Sequence, residues 1–168
     1  MASVGYLVGM ANNLWARLGR MTSAAEDTPA LLMTKPTWLV SQVSWHAHRL
    51  LATGLAGAGA RGYHVRVLAA LAEFGPASQA SLGRRVEMDR SDVTSAVSEL
   101  AADGLVERTA DAGDRRRNVV TITDAGRARL ASLDAILDRV QDELLAPLSA
   151  PERATLAELL TRLLEHHA

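Results

Sequence analysis

The stretch Thr109–Thr123, TADAGDRRRNVVTIT, restricts the fold more than any other part of the chain. An acidic tip containing Gly113 carries three consecutive arginines, Arg115, Arg116 and Arg117, and a β-branched run follows at once. Leu105–Arg108, LVER, lies just before it and also reads as a strand. Two short β runs around a glycine-containing tip predict a β-hairpin shaped for phosphates or a DNA groove. Side chains alternate along a strand, so the three arginines cannot all face one way. Taken alone, such a tip is also what a solvated charge run looks like. What precedes it decides between the two.

A pair of short helices precedes it. Ser78–Val86, SQASLGRRV, reads as a helix with Ser78 as N-cap and with Ala80 and Leu82 pointing inward. Glu87-Met88 forms a turn, and Asp89 caps a second helix, with Asp92 three residues on in capping-box spacing. That helix runs to about Asp103 on a buried stripe of Val93, Val97 and Leu100, and Gly104 ends it. Its other side offers Arg90, Ser91, Asp92, Thr94, Ser95 and Ser98. A recognition helix entering a major groove N-terminus first needs this composition: small residues allow close approach, and hydroxyls bond phosphates or bases. Arg90 suits a bidentate guanine contact, worth about 1–3 kcal/mol of discrimination. Asp92 either accepts from cytosine or only caps the helix, and capping is preferred. Ser78 and Gln79 are candidate contacts on the preceding helix. After such a pair, the arginine tip reads as a wing that sends one or two arginines into a narrow minor groove. Asp111 and Asp114 fit as carboxylates that orient an arginine through a bidentate pair.

The rest of the chain reads as helices. One runs from about Thr37 to Leu55 after Pro36, and GLAGAGARG breaks it. Tyr63–Phe74 follows, with Val65, Leu68, Leu71 and Ala72 on one face, and Gly75-Pro76 stops it. Asp124–Leu145 carries Leu130, Leu133, Ile136, Leu137, Val140 and Leu144 at helical spacing. After Pro147, Pro151–Leu164 carries a stripe of Leu156, Leu159, Leu160 and Leu163. At the other end, residues 4–21 read as an amphipathic helix that must pack on the domain, a second copy or another protein, and 22–29 is a polar linker. Met33 is a second candidate start, which would leave 1–32 outside the translated protein.

Composition sets the outer bounds. A chain of 168 residues defaults to one domain. Apolar residues make up 48% of it, yet no apolar run is long enough to span a bilayer and no secretory signal pattern is present, so the expected compartment is cytoplasmic, with no membrane partner. Cysteine is absent, which excludes disulfides, thiolate metal sites and Cys nucleophiles. A net charge of −1 is compatible with DNA binding, which needs local basic clusters and not a basic total. Lys35 is the only lysine; arginine's planar fork suits phosphate and guanine, although a GC-rich genome produces the same bias. No nucleophile elbow, P-loop, dinucleotide fingerprint or zinc-binding helix motif appears, so neither an enzyme nor a cofactor is expected.

These residues carry a family resemblance. Gln79-Ala80-Ser81-Leu82-Gly83-Arg84-Arg85, then Asp89-Arg90-Ser91-Asp92-Val93-Thr94, then Leu100 with Asp103-Gly104-Leu105-Val106-Glu107-Arg108, resemble a MarR-family regulator. The wing is similar to the family's D-x-R-x-x-x-V-x-L-T pattern through Asp114, Arg116, Val120 and Thr123, with Ile122 where leucine is usual. Asp124-Ala125-Gly126 resembles the start of the family's long fifth helix. The resemblance covers about residues 37–167 and is most specific over 78–126; residues 1–35 depart from the minimal family pattern. It implies a mainly α fold with a small β-hairpin wing (α+β), a winged helix-turn-helix with N- and C-terminal dimerisation helices. The implied layout is an N-terminal extension (1–35), dimerisation helices (36–60 and 124–168) and a DNA-binding domain (61–123). The implied protein is a homodimer on a palindromic double-stranded DNA operator, with half-sites about one turn apart. Arg116 would be the minor-groove arginine, Asp114 its orienting partner, and Arg115 and Arg117 phosphate contacts.

Many relatives of this kind release DNA when a small aromatic or anionic effector binds between the dimer helices and the reading head. Candidate lining residues are Trp38, Trp45, His46, Arg49, Tyr63 and His64. Aromatic residues at helical spacing equally serve as core or dimer interface. His46 and His48 diverge on a helix and cannot jointly grip a metal, and no metal site is expected. Without cysteine, thiol-based oxidant sensing is excluded. The leading expectation is therefore a transcriptional regulator, more often a repressor than an activator. A winged-helix protein-interaction module without DNA readout is the alternative; a depleted recognition helix or wing would favour it, and both are well furnished.

Overall fold

The computed structural model describes residues 28–110 and 118–167. The 4–21 segment, Asp111, Asp114 and the arginines at 115–117 lie outside the described residues. The chain separates into two compact units, 1–48 and 49–168. In the first, a single helical turn, α1 (Ala30–Met33), is followed by the start of α2 (Pro36–Ala56). Pro36 stands at the first helical position, where its missing N–H costs nothing.

The second unit holds the core. In chain order it contains the end of α2, then α3 (Gly62–Phe74), β1 (Ala77–Ser78), α4 (Gln79–Val86), α5 (Arg90–Ala102), β2 (Val106–Ala110), β3 (Asn118–Ile122), α6 (Asp124–Leu144) and α7 (Ala150–His167). The strands form one antiparallel sheet in the order β1-β3-β2. β2 and β3 pair with Val106 opposite Ile122 and Arg108 opposite Val120. Val106, Val120 and Ile122 turn inward, as period-two alternation requires. They meet Val67, Leu68 and Leu71 of α3, Leu82 and Val86 of α4, and Val93, Val97 and Leu100 of α5 in a single cluster that also takes in Leu133, Ile136 and Val140 of α6. This mainly helical, three-stranded arrangement is a winged helix-turn-helix fold.

The local signals are visible in the caps. Ser78 Oγ accepts from the Ser81 N–H at 3.2 Å and starts α4. α5 ends in a Schellman motif: Gly104 has φ +70°, its N–H donates to the Ala101 carbonyl, and the Leu105 N–H donates to the Leu100 carbonyl. Thr123 Oγ1 accepts from the Gly126 N–H at 3.0 Å and starts α6, while its hydroxyl donates to the Gly104 carbonyl. At Gly126 the helix runs against the chain: an added Cβ would collide with the Leu105 carbonyl oxygen and lie 2.8 Å from Ile122 Cγ1. Ahead of α7, the Ser149 backbone N–H and hydroxyl both donate to Glu152, and these bonds hold its carboxyl below the usual carboxylate range.

Four expectations need correction. Ala80 is exposed; it stands two positions from Leu82, so on a helix it faces away from the Leu82–Val86 face. Asp89 is at the N-cap of α5 but its side chain makes no capping hydrogen bond, and no box with Asp92 forms. A box needs a long side chain at the third position, and Asp is one methylene shorter than the usual Glu. Leu105 precedes the strand instead of joining it, because the Schellman motif uses its N–H. The wing is also not a lone hairpin: β1, two residues long, pairs with β3 through Ala77–Val120 and Ser78–Val119.

Candidate nucleic-acid interface

α5 packs Val93, Ala96, Val97 and Leu100 into the core, each at most 2% exposed. This fixes which side it shows to solvent. Arg90, Ser91, Asp92, Thr94, Ser95 and Ser98 are all exposed on that side. The turn before the helix is tight: Glu87 adopts a left-handed conformation with φ 51°, and the Met88 N–H donates to the Gly83 carbonyl at 3.0 Å.

Several of these polar groups are already engaged. The Thr94 hydroxyl lies 2.8 Å from the Arg90 carbonyl and 3.1 Å from Gln79 Oε1, so Gln79 of α4 is tied to the face of α5. The Ser98 hydroxyl donates to the Thr94 carbonyl at 2.7 Å and accepts from Arg108 Nη2 of β2 at 2.6 Å. On the flank, Glu99 receives the Tyr63 hydroxyl at 3.1 Å and His64 Nε2 at 3.0 Å, joining α5 to α3. His64 is buried, and its Nδ1 accepts the Arg61 backbone N–H at 3.3 Å, which leaves Nε2 as the protonated nitrogen facing Glu99. The Tyr63 hydroxyl beside Arg61, with Glu99 behind it, holds the guanidinium pKa above its usual value.

Sequence reading missed Arg108 and Glu99. The signal for Arg108 was present: strand alternation places it on the same side as buried Val106, the side that faces α5. Glu99 had no such signal, because its partners lie 35 and 36 residues upstream.

The other candidate residues fall in two places. In the first unit, Trp38 is half-buried, while Trp45 and His46 are exposed with ring centroids 4.9 Å apart, edge to face. In the second, Arg49 is exposed, and Tyr63 and His64 belong to the Glu99 network. Among the described residues no cluster of three His, Asp or Glu side chains could hold a metal, and no helix is long and apolar enough to cross a membrane.

Comparisons with known proteins agree on one family. A sequence model described as "MarR family" matches residues 53–117. The "HTH-type transcriptional repressor NicR" of Pseudomonas putida is 32% identical over 98 residues, covering 58% of this chain and 62% of NicR. The chain thus spans less than two thirds of the length of the curated relatives it matches. A crystal structure of a probable transcriptional regulator from Pseudomonas aeruginosa is 36% identical, with a TM-score of 0.69, covering 79% of this chain and 98% of that one. A mutant MarR from E. coli complexed with operator DNA is 26% identical, with a TM-score of 0.65, covering 75% of this chain and 91% of that one.

Proposed function

The chain belongs to the MarR family of transcriptional regulators, and from that premise we propose that it is a sequence-specific repressor that binds a palindromic double-stranded operator as a homodimer. The observation that carries this reading is the division of α5: one side is sealed into the core, and the other holds an exposed row of short polar side chains led by Arg90. In this reading residues 61–123 are the reading head, 36–60 and 124–168 supply the dimer helices, and 1–35 extends that interface. Arg90, Ser91, Thr94 and Ser95 meet the major groove, Ser98 stands at the far end of the same exposed face, and Asp92 stays at the helix start. Ser78 and Gln79 border that contact. Arg116 enters the minor groove with Asp114 orienting it, and Arg115 and Arg117 meet phosphates. The likeness to the named repressor NicR supports repression as the sense of regulation.

Two substitutions test the two parts of the reader. Arg116→Ala should weaken operator binding while leaving the dimer intact; unchanged affinity in a gel-shift titration at fixed salt would sink the wing assignment. Arg90→Ala should relax base preference by about 1–3 kcal/mol at one position while weakening non-specific binding much less. Equal losses on specific and random duplexes contradict it. Selection of bound duplexes from a random pool supplies the operator, and a palindrome is the expected result.

The reading includes release by a small aromatic or anionic effector. Candidate residues with the aromatic and cationic chemistry for it are Trp38, Trp45 and His46 in the first unit and Arg49, Tyr63 and His64 in the second. Repeating the selection with aromatic carboxylates checks this, with loss of bound duplex as the expected effect.

A further inference from the structure

Arg108 stands apart from the arginines already assigned to DNA. It is exposed on β2, and its guanidinium lies across α5 with Nη2 on the Ser98 hydroxyl at 2.6 Å. Ser98 in turn is fixed by its own bond to the Thr94 carbonyl. Arg90, Thr94 and Ser98 follow one another at four-residue steps, so they form one row along the helix and Arg108 closes its far end. Among the described residues no carboxylate lies within ion-pair distance of Arg108.

We propose that Arg108 is a phosphate-binding residue, held by Ser98 at the rim of the major groove. Ser98 lies eight residues beyond Arg90, about 12 Å along the helix axis. A B-DNA major groove is about 8.5 Å deep. With α5 entering N-terminus first, base contact falls to its N-terminal residues, and the Ser98 level, two turns further on, stands closer to the sugar-phosphate backbone. The guanidinium has five N–H donors in a fixed fork, and Ser98 uses one of them, which leaves donors for phosphate oxygens. Ser98 is then a positioning residue, not a base reader: its hydroxyl is spent on the Thr94 carbonyl and Arg108. This assignment rests on the DNA-binding reading above.

The test is the salt dependence of binding by the full chain to one random-sequence duplex, which reads phosphate contacts without an operator. Each neutralised phosphate contributes about 0.9 to the slope of log affinity against log salt, so Arg108→Ala should flatten that slope by roughly 1.8 for a dimer with two heads. Arg108→Lys keeps the charge and should keep the slope. Ser98→Ala should lower affinity and leave the slope in place. A change in helix packing alone would not alter the slope, and thermal melting of each variant checks the fold; should the alanine variant fail to fold, Arg108→Gln takes its place. A wild-type slope retained in Arg108→Ala overturns the assignment. Absence of any salt-dependent binding by the wild-type protein overturns both this assignment and the DNA-binding reading.

Discussion

Gly126→Ala should destabilise the folded chain by about 3 kcal/mol or more, beyond what an ordinary surface substitution costs. The reason is the approach of α6 to the segment that closes α5. A Cβ at 126 would collide with the Leu105 carbonyl oxygen and lie 3.1 Å from its carbon, with Ile122 Cγ1 at 2.8 Å on the other side. The obstacle is backbone, and that same carbonyl accepts the Thr123 N–H at 3.1 Å, so it cannot move without giving up a bond of its own. Relief would require α6 to pull away from the sheet and loosen Leu133 and Ile136 in the core. Thermal melting of Gly126→Ala beside Gly62→Ala checks it, because a Cβ at 62 meets nothing within 4 Å. The expected drop for Gly126→Ala is about 10 °C, at roughly 2–4 °C per kcal/mol for a chain of this size. Equal melting temperatures for the two variants would falsify the clash.

The second large effect concerns association. On α7, Leu159 is 47% exposed, Leu163 54% and Leu164 73%, with Leu160 at 39% beside them. Burying a leucine contributes about 1.5–3 kcal/mol, so a row of four exposed on one helix is a substantial unmet drive to pair. If this row is part of the homodimer interface, the double change Leu159→Asp with Leu163→Asp should leave a folded monomer. Each aspartate would have to enter that contact charged or leave it open. Operator affinity should then fall by about 10²–10⁴, the gain that joining two half-site readers provides. Sedimentation gives the mass and a gel shift gives the affinity. A variant that remains dimeric rules this row out as the interface.

The sequence was most legible where one local rule acted alone. Ser78, Gly104 and the Val93–Val97–Leu100 stripe each followed from spacing or conformational preference, and all three stand as expected. It was less legible where partners are distant in the chain. β1 is only two residues long and exists because β3, more than 40 positions later, lies beside it. Glu99 reads as one more exposed carboxylate until the fold brings His64 and Tyr63 to it. The same holds for the candidate interface. Which residues α5 exposes was readable from its apolar stripe, whereas the engagement of Thr94 and Ser98 by Gln79 and Arg108 was not. Composition marked those hydroxyls as able to hydrogen-bond, but only the packed structure shows how much of that capacity is already used.

The strand order β1-β3-β2 has a mechanical consequence. Ala77 and Ser78 are stitched to the middle strand, and Ser78 is also the residue from which α4 springs. The sheet therefore acts as a yoke between β2, β3 and α4. A push on β3 reaches α4 through Ala77 and Ser78 and through the core that β3, α4 and α5 share. β2, β3 and α5 should then tilt together, so an event that shifts one of them by an ångström would displace the others.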